Sequence, residues 1–274
     1  WATDEIMNDR AIIFVGLFLL GLLILNSIMT PLAEDQRINI AFAQQADDFY
    51  GGFPGNVIQA WTLRGIGYKF LTFFLYKAAR LFVNYDDKMR FEVICKTLYA
   101  AGVMIVLTGS IWIARPGLKK LGVDEFYALF ISGTAFFSLS YECAFQAEDV
   151  AALLMLAGMA LALSESRFLC GMAGMVLSLL LTLKGITWLL GLVPLLCLLL
   201  FYEKFWKPLV WTAVSFILST GVLAVLILLL APMEFRDLLD ASRFQSSFRG
   251  LGRSFAGEIF QRIQILYQFY LQYF

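Results

Sequence analysis

The sequence contains no histidine. That absence removes the side chain most often used as a general base, the commonest metal ligand and any Ser-His-Asp triad. Acid–base chemistry then falls to carboxylates, lysine or tyrosine. Charge is also scarce: 15% of the 274 residues are charged, against about a quarter in a typical soluble domain. Lys and Arg total 21, as do Asp and Glu, so no basic excess points to nucleic acid. Of the four cysteines, Cys95, Cys143, Cys170 and Cys197, none forms a CxxC pair. Three sit in or beside apolar runs and read as inert buried thiols. The opening WATDEIMNDR has neither an initiator methionine nor a signal-peptide n-region. No small-residue cleavage site follows the first apolar run, which therefore reads as a retained anchor. The last residues, QILYQFYLQYF, stop within an aromatic stretch, as a piece of a longer protein would.

What is abundant is apolar: 60% of the residues are hydrophobic and the mean hydropathy is +0.76. So large an excess needs lipid as a second solvent. A spanning helix takes about 20 mostly apolar residues. Runs at 11–30 and 208–231 meet that length, and a third covers 97–114, starting after Lys96. Four shorter runs, 124–141, 149–164, 168–183 and 185–202, lie near the lower limit. The expected fold is an all-α polytopic transmembrane bundle of about seven spans. It divides into a membrane domain, 1–231, and an outer amphipathic segment, 232–274. Arg115, Lys119, Lys120, Arg167, Lys204 and Lys207 fall on alternate connections. The opposite short loops hold Glu142, Glu148, Asp149 and Lys184. Positive charge on one side places the N-terminus in the cytoplasm.

The first outer connection, 31–96, is far longer than a hairpin needs. Its second half, NVIQAWTLRGIGYKFLTFFLYKAARLF, repeats apolar residues at helical spacing (Ile58, Trp61, Leu71, Phe74, Leu75). Arg64, Lys69, Lys77 and Arg80 lie among them, as in an interfacial helix whose lysines snorkel to headgroups. Gly65 and Gly67 are expected to break this helix in two. Three acidic features share the outer side: Glu34–Asp35, Asp47–Asp48, and Glu148–Asp149 with Glu142 nearby. Carboxylates beside hydrocarbon are costly unless paired or hydrated, so Glu34, Asp35 and Asp149, near span ends, read as functional. Asp47–Asp48 reads equally well as an ordinary loop, because Gly51, Gly52 and Pro54 follow. Lys184, between two apolar runs, either snorkels or holds an anion such as a lipid phosphate. Arg236, Arg243, Arg249 and Arg253 alternate with phenylalanines in an amphipathic segment, where one or two could add to a phosphate-binding surface.

The order of span, long acidic outer loop, interfacial helix, hairpin with an acid before a span, and TLKG hinge resembles the GT-C type membrane glycosyltransferases. Within them it is most similar to the lipid A aminoarabinose transferase and protein O-mannosyltransferase group. AEDQRINIAFAQQ aligns Glu34 and Asp35 with the family's acidic pair, in reversed order. AEDVAALLMLAGMALAL aligns Asp149 with its later acid, and TLKGITWLLGLVPLL aligns Lys184 with its TKG lysine. The resemblance covers residues 10–232 through short motifs. It implies a sugar donor on a polyprenyl phosphate and inverting attack by an acceptor hydroxyl. Asp35 or Glu34 would act as base and Lys184, with Arg243, would neutralise the leaving phosphate. Asp149, with Glu148, Asp47 and Asp48, would serve the acceptor or sugar, or a divalent cation (Mg or Mn) bound through oxygen. The implied setting is a bacterial inner membrane, with lipid and other membrane subunits as partners.

Two other classes compete. One is a non-catalytic scaffold subunit, for which the 26 phenylalanines and small residues such as Gly158, Gly171 and Gly174 suit helix packing. The other is a transporter of a lipid-linked substrate. That reading predicts ionisable residues deep in several spans, and the runs 11–30 and 208–231 carry none.

Overall fold

The computed structural model describes residues 2–29, 37, 40–41, 43–44, 47, 66–140, 147–183 and 189–230. Every regular element among them is helical: α1 (Ala2–Met29), α2 (Ile66–Arg80), α3 (Lys88–Leu121), α4 (Glu125–Ser140), α5 (Ala147–Leu163), α6 (Arg167–Ser178) running into a 3-10 turn (Leu179–Thr182), α7 (Leu192–Leu200) and α8 (Tyr202–Leu230).

Local chemistry sets the ends of α3. The Asp87 carboxylate accepts from the Arg90 backbone N–H at 3.3 Å and caps the start. Gly122, at φ 72°, closes the end, its N–H directed at the Leu118 and Lys119 carbonyls. Lys119 and Lys120 in the last turn complement the helix dipole. From Lys96 to Arg115 the helix rises about 28 Å, close to the roughly 30 Å hydrocarbon thickness. In α8, Pro208 has no N–H to donate to the preceding turn, and Phe205 departs from helical geometry (φ −126°, ψ 24°).

Two helices, α3 and α8, are long and apolar enough to cross a membrane. Only 17% of the most apolar stretch of α8 is buried inside the protein, unlike the core helix of a soluble domain. The expected seven crossings are not supported. Within α1 the apolar described stretch is Ile13–Leu25, and α4 and α5 have 16 and 17 residues. At about 1.5 Å per residue, 17 residues rise only about 25 Å. The run 185–202 yields a helix of only nine residues, Leu192–Leu200, ended at Phe201 where the backbone leaves helical geometry.

The main core joins Val15, Leu19 and Leu23 of α1, Val103, Met104 and Leu107 of α3, Leu129 of α4 and Ala160 of α5. A second cluster sets Phe73, Tyr76 and Ala79 of α2 against Phe91 and Cys95 of α3, with Ile40 and Ala43 alongside. Tyr76, Tyr85 and Phe91 stack at its edge, with centroids 5.1–6.0 Å apart. Burial, then the charges of Glu92 and Cys95, pushes the Tyr85 phenol above its ordinary value.

Outside these cores the surface is strongly apolar. Phe14, Leu17, Ile105, Trp112, Ile131, Ile217 and Leu218 are each more than half exposed. Apolar surface on this scale marks a membrane or partner-facing exterior. Helix α2 follows the same logic in reverse. It buries Tyr68, Lys69, Thr72 and Tyr76, while Leu71 and Phe74 face outward. It runs unbroken through Gly67 to Arg80, so Gly67 does not break it; Gly65 lies outside the described residues. Lys69 does not snorkel as expected; it is completely buried.

Candidate functional site

Some of the buried polar side chains, Lys69, Thr182 and Asp149 among them, belong to elements that meet one another: α2, the 3-10 turn and α5, with α3 packed against them. Gly67 brings α2 there. A Cβ at this position would overlap the Thr182 side chain at the end of the 3-10 turn, so only glycine permits the approach. Tyr68 then packs with Val150 and Ala151 of α5, Leu180 and Leu183, with Tyr99 of α3 against them. Asp149, just before Val150, is 4% exposed. Tyr99 lies within electrostatic reach of both Asp149 and Tyr68. Lys69 is fully buried beside Tyr68, and Thr182 is buried too.

The same face of α3 extends the polar strip. Glu92, Lys96 and Tyr99 stand four and three residues apart, the spacing that stacks side chains along one face. Lys96 is 3% exposed and feels the charges of Glu92 and Arg37. The Arg37 guanidinium grips Glu92, with Nε to Oε1 at 2.8 Å and Nη2 to Oε2 at 3.2 Å. The Arg37 pair thus ties the acidic outer connection to α3.

Asp149 is the one sequence-selected site residue found in this cluster. Asp47 is engaged elsewhere: the Lys77 ammonium lies 2.8 Å and the Arg80 guanidinium 3.3 Å from its carboxylate oxygens. That clamp fastens the outer connection to α2 and gives Asp47 a structural partner. Glu148 lies in the first turn of α5. Glu34, Asp35, Asp48, Lys184 and Arg243 lie outside the described residues, as do Glu142 and the segment 232–274.

The sequence marks Lys69 only as an interfacial lysine and Lys96 only as the edge of a span, and it does not single out Tyr68 or Tyr99. The available signal was the Glu92-Lys96-Tyr99 spacing, which a boundary drawn after Lys96 cut in two. Among the described residues no group of three or more His, Cys, Asp or Glu could hold a metal ion; Glu34, Asp35 and Asp48 lie outside those residues.

The opposite end of the bundle is basic. Asp149 and Leu163 are the ends of an α5 stretch rising about 21 Å. Beyond Leu163, Lys120 pairs with Glu165, and the Lys204 ammonium donates to the Lys120 carbonyl at 3.2 Å. The basic residues assigned to one side from their alternate connections therefore do converge at one end. Comparisons with protein-family models, with curated proteins and with solved structures each return no match to this chain.

Proposed function

We propose that this is an integral membrane glycosyltransferase that moves a sugar from a polyprenyl-phosphate donor to an acceptor hydroxyl. The observation that carries the reading is the burial of Asp149 within electrostatic reach of Tyr99, at the end of α5 remote from the basic cluster. Buried ionisable groups at a membrane-facing bundle end are costly and are kept for binding or proton transfer. The resemblance of the Glu34–Asp35, Asp149 and Lys184 motifs to GT-C enzymes supports the same reading. The basic end then faces the cytoplasm, by the positive-inside rule, and the chemistry lies on the outer face.

In the proposed reaction, Asp35 or Glu34 accepts the proton of the acceptor hydroxyl. The acceptor oxygen bonds to the anomeric carbon while the carbon–oxygen bond to the lipid phosphate breaks, inverting the centre. Lys184 neutralises the departing phosphate. Asp149 and Tyr99 orient the acceptor or the sugar.

Turnover of a polyprenyl-phosphate sugar by membranes carrying Asp35→Asn tests this. Loss of the general base is expected to slow transfer by about 10²–10⁴-fold. Unchanged turnover removes Asp35 from the role, and unchanged turnover in both Asp35→Asn and Glu34→Gln ends the mechanism.

A second reading, a non-catalytic subunit, draws support from the Asp47 clamp and the Arg37–Glu92 pair, ion pairs that fasten the chain's own segments together.

A further inference from the structure

At the basic end lies a cavity of about 420 Å³ between α6, α8 and the end of α3. Lys120, Arg167, Lys204 and Lys207 line it, against two carboxylates, Glu165 and Glu203. Lys120 is satisfied by Glu165 and also lies over the Phe205 ring. Lys207 sits 5.6 Å from the centre of the Trp206 ring. Arg167 makes no ion pair among the described residues and is exposed. The cavity thus holds a surplus of cation, with Arg167 and Lys207 available to an anion.

Its backbone is unusual as well. Glu165 adopts φ 63°, in the left-handed region that side-chain-bearing residues seldom occupy. Such conformations persist where surrounding structure enforces them, and they concentrate at binding sites. Here the strained turn points Glu165 back at Lys120 and leaves Arg167 at the cavity rim. Trp206 and Trp211 form another wall, as aromatic rings do at headgroup depth. Above them, Val210, Val214, Ile217 and Leu218 expose an apolar track along α8.

We propose that this cavity binds the phosphate of an anionic phospholipid, with its acyl chains along the exposed track of α8. Arg167 supplies a planar donor pair to the phosphate oxygens and Lys207 a point charge. The apolar track is what selects a lipid phosphodiester over a free phosphate. The inference rests on membrane residence, but not on the glycosyl-transfer reading, because the cavity lies at the end of α5 opposite Asp149.

The test uses the full chain, extracted in mild detergent and examined by native mass spectrometry with added phosphatidylglycerol or phosphatidylcholine. Wild type is expected to retain phosphatidylglycerol in preference. The pair Arg167→Gln with Lys207→Gln should weaken that retention roughly ten- to thirty-fold. The charge-keeping pair Arg167→Lys with Lys207→Arg should restore most of it. Lys88→Gln with Arg90→Gln, at the far end of α3, should leave it unchanged. Equal retention of both lipids, or equal loss in the Lys88/Arg90 control, overturns the site. Displacement of bound lipid by soluble glycerol phosphate at matching concentration assigns the cavity to a free phosphate and overturns the lipid. Extraction of the chain from membranes by alkaline carbonate overturns the membrane premise itself, separately from the site.

Discussion

Lys69 and Lys77 lie two turns apart on α2, and burial separates their roles. The Lys77 side chain is 50% exposed, and its pair with Asp47 is screened by solvent. Such a pair contributes at most about 1 kcal/mol. Lys69 has no exposure at all. A buried ammonium is tolerated only with acceptors around it, and deleting it strands them. Lys69→Met is therefore expected to destabilise the fold by about 3 kcal/mol, while Lys77→Ala changes it by less than about 1 kcal/mol. Thermal unfolding of the two variants in detergent measures the difference; equal melting temperatures would contradict it. Lysine identity was legible in the sequence, and so was a helix around it. Which lysine turned inward was not, because α2 buries Lys69 and Thr72 along with Phe73 and Tyr76 while leaving Leu71 and Phe74 exposed.

Among elements, the α6–α8 pair makes the most extensive contact between helices in the bundle. Glycine and hydroxyls explain it. A Cβ at Gly174 would lie 2.7 Å from the Ser215 Cβ and against the α8 backbone. Thr212 donates to the Cys170 carbonyl at 3.2 Å, and Ser215 to the Gly171 carbonyl at 2.6 Å. Small residues admit the close approach and hydroxyls bond across it, as in membrane helix pairs. Backbone cannot yield as a flexible side chain can, so Gly174→Ala is expected to cost about 1–3 kcal/mol. At Gly171 a Cβ meets open space, and Gly171→Ala should gain up to about 1 kcal/mol from helix propensity. Unfolding midpoints that move the same way for both would refute this account. Both glycines suited helix packing from sequence. Only the facing backbone separates the one that must be glycine from the one that need not be.

At the scale of the whole molecule, charged side chains of both signs gather at the two ends of the helices. Lys120, Arg167, Lys204 and Lys207 converge around one cavity, and Asp149 lies at the far end of α5. The proposed orientation predicts that a Lys207→Cys variant reacts with a membrane-impermeant thiol reagent only from the cytoplasmic side. Arg80→Cys, at the end of α2, should react only from the other side. Labelling of both positions from one face would reverse or abolish the assigned topology. The convergence of basic residues was legible in their alternation along the chain, because successive hairpins must return to the same end. The number of crossings was not, because apolar runs near 16 residues are equally compatible with short, tilted or buried helices.

Composition alone determined that this chain is helical and carries far more apolar surface than a soluble core can hide. Those properties are sums over residues and need no coordinates. Periodicity and alternation also determined where the long helices run and which connections are basic, since both are local or nearly so. The tertiary structure decided what depends on contact between distant segments. It turned Asp47 into a clamp for Lys77 and Arg80, and it buried Asp149 within reach of Tyr99. It also brought Gly67 against Thr182. These contacts join residues tens to more than a hundred positions apart, and their energies depend on which faces meet.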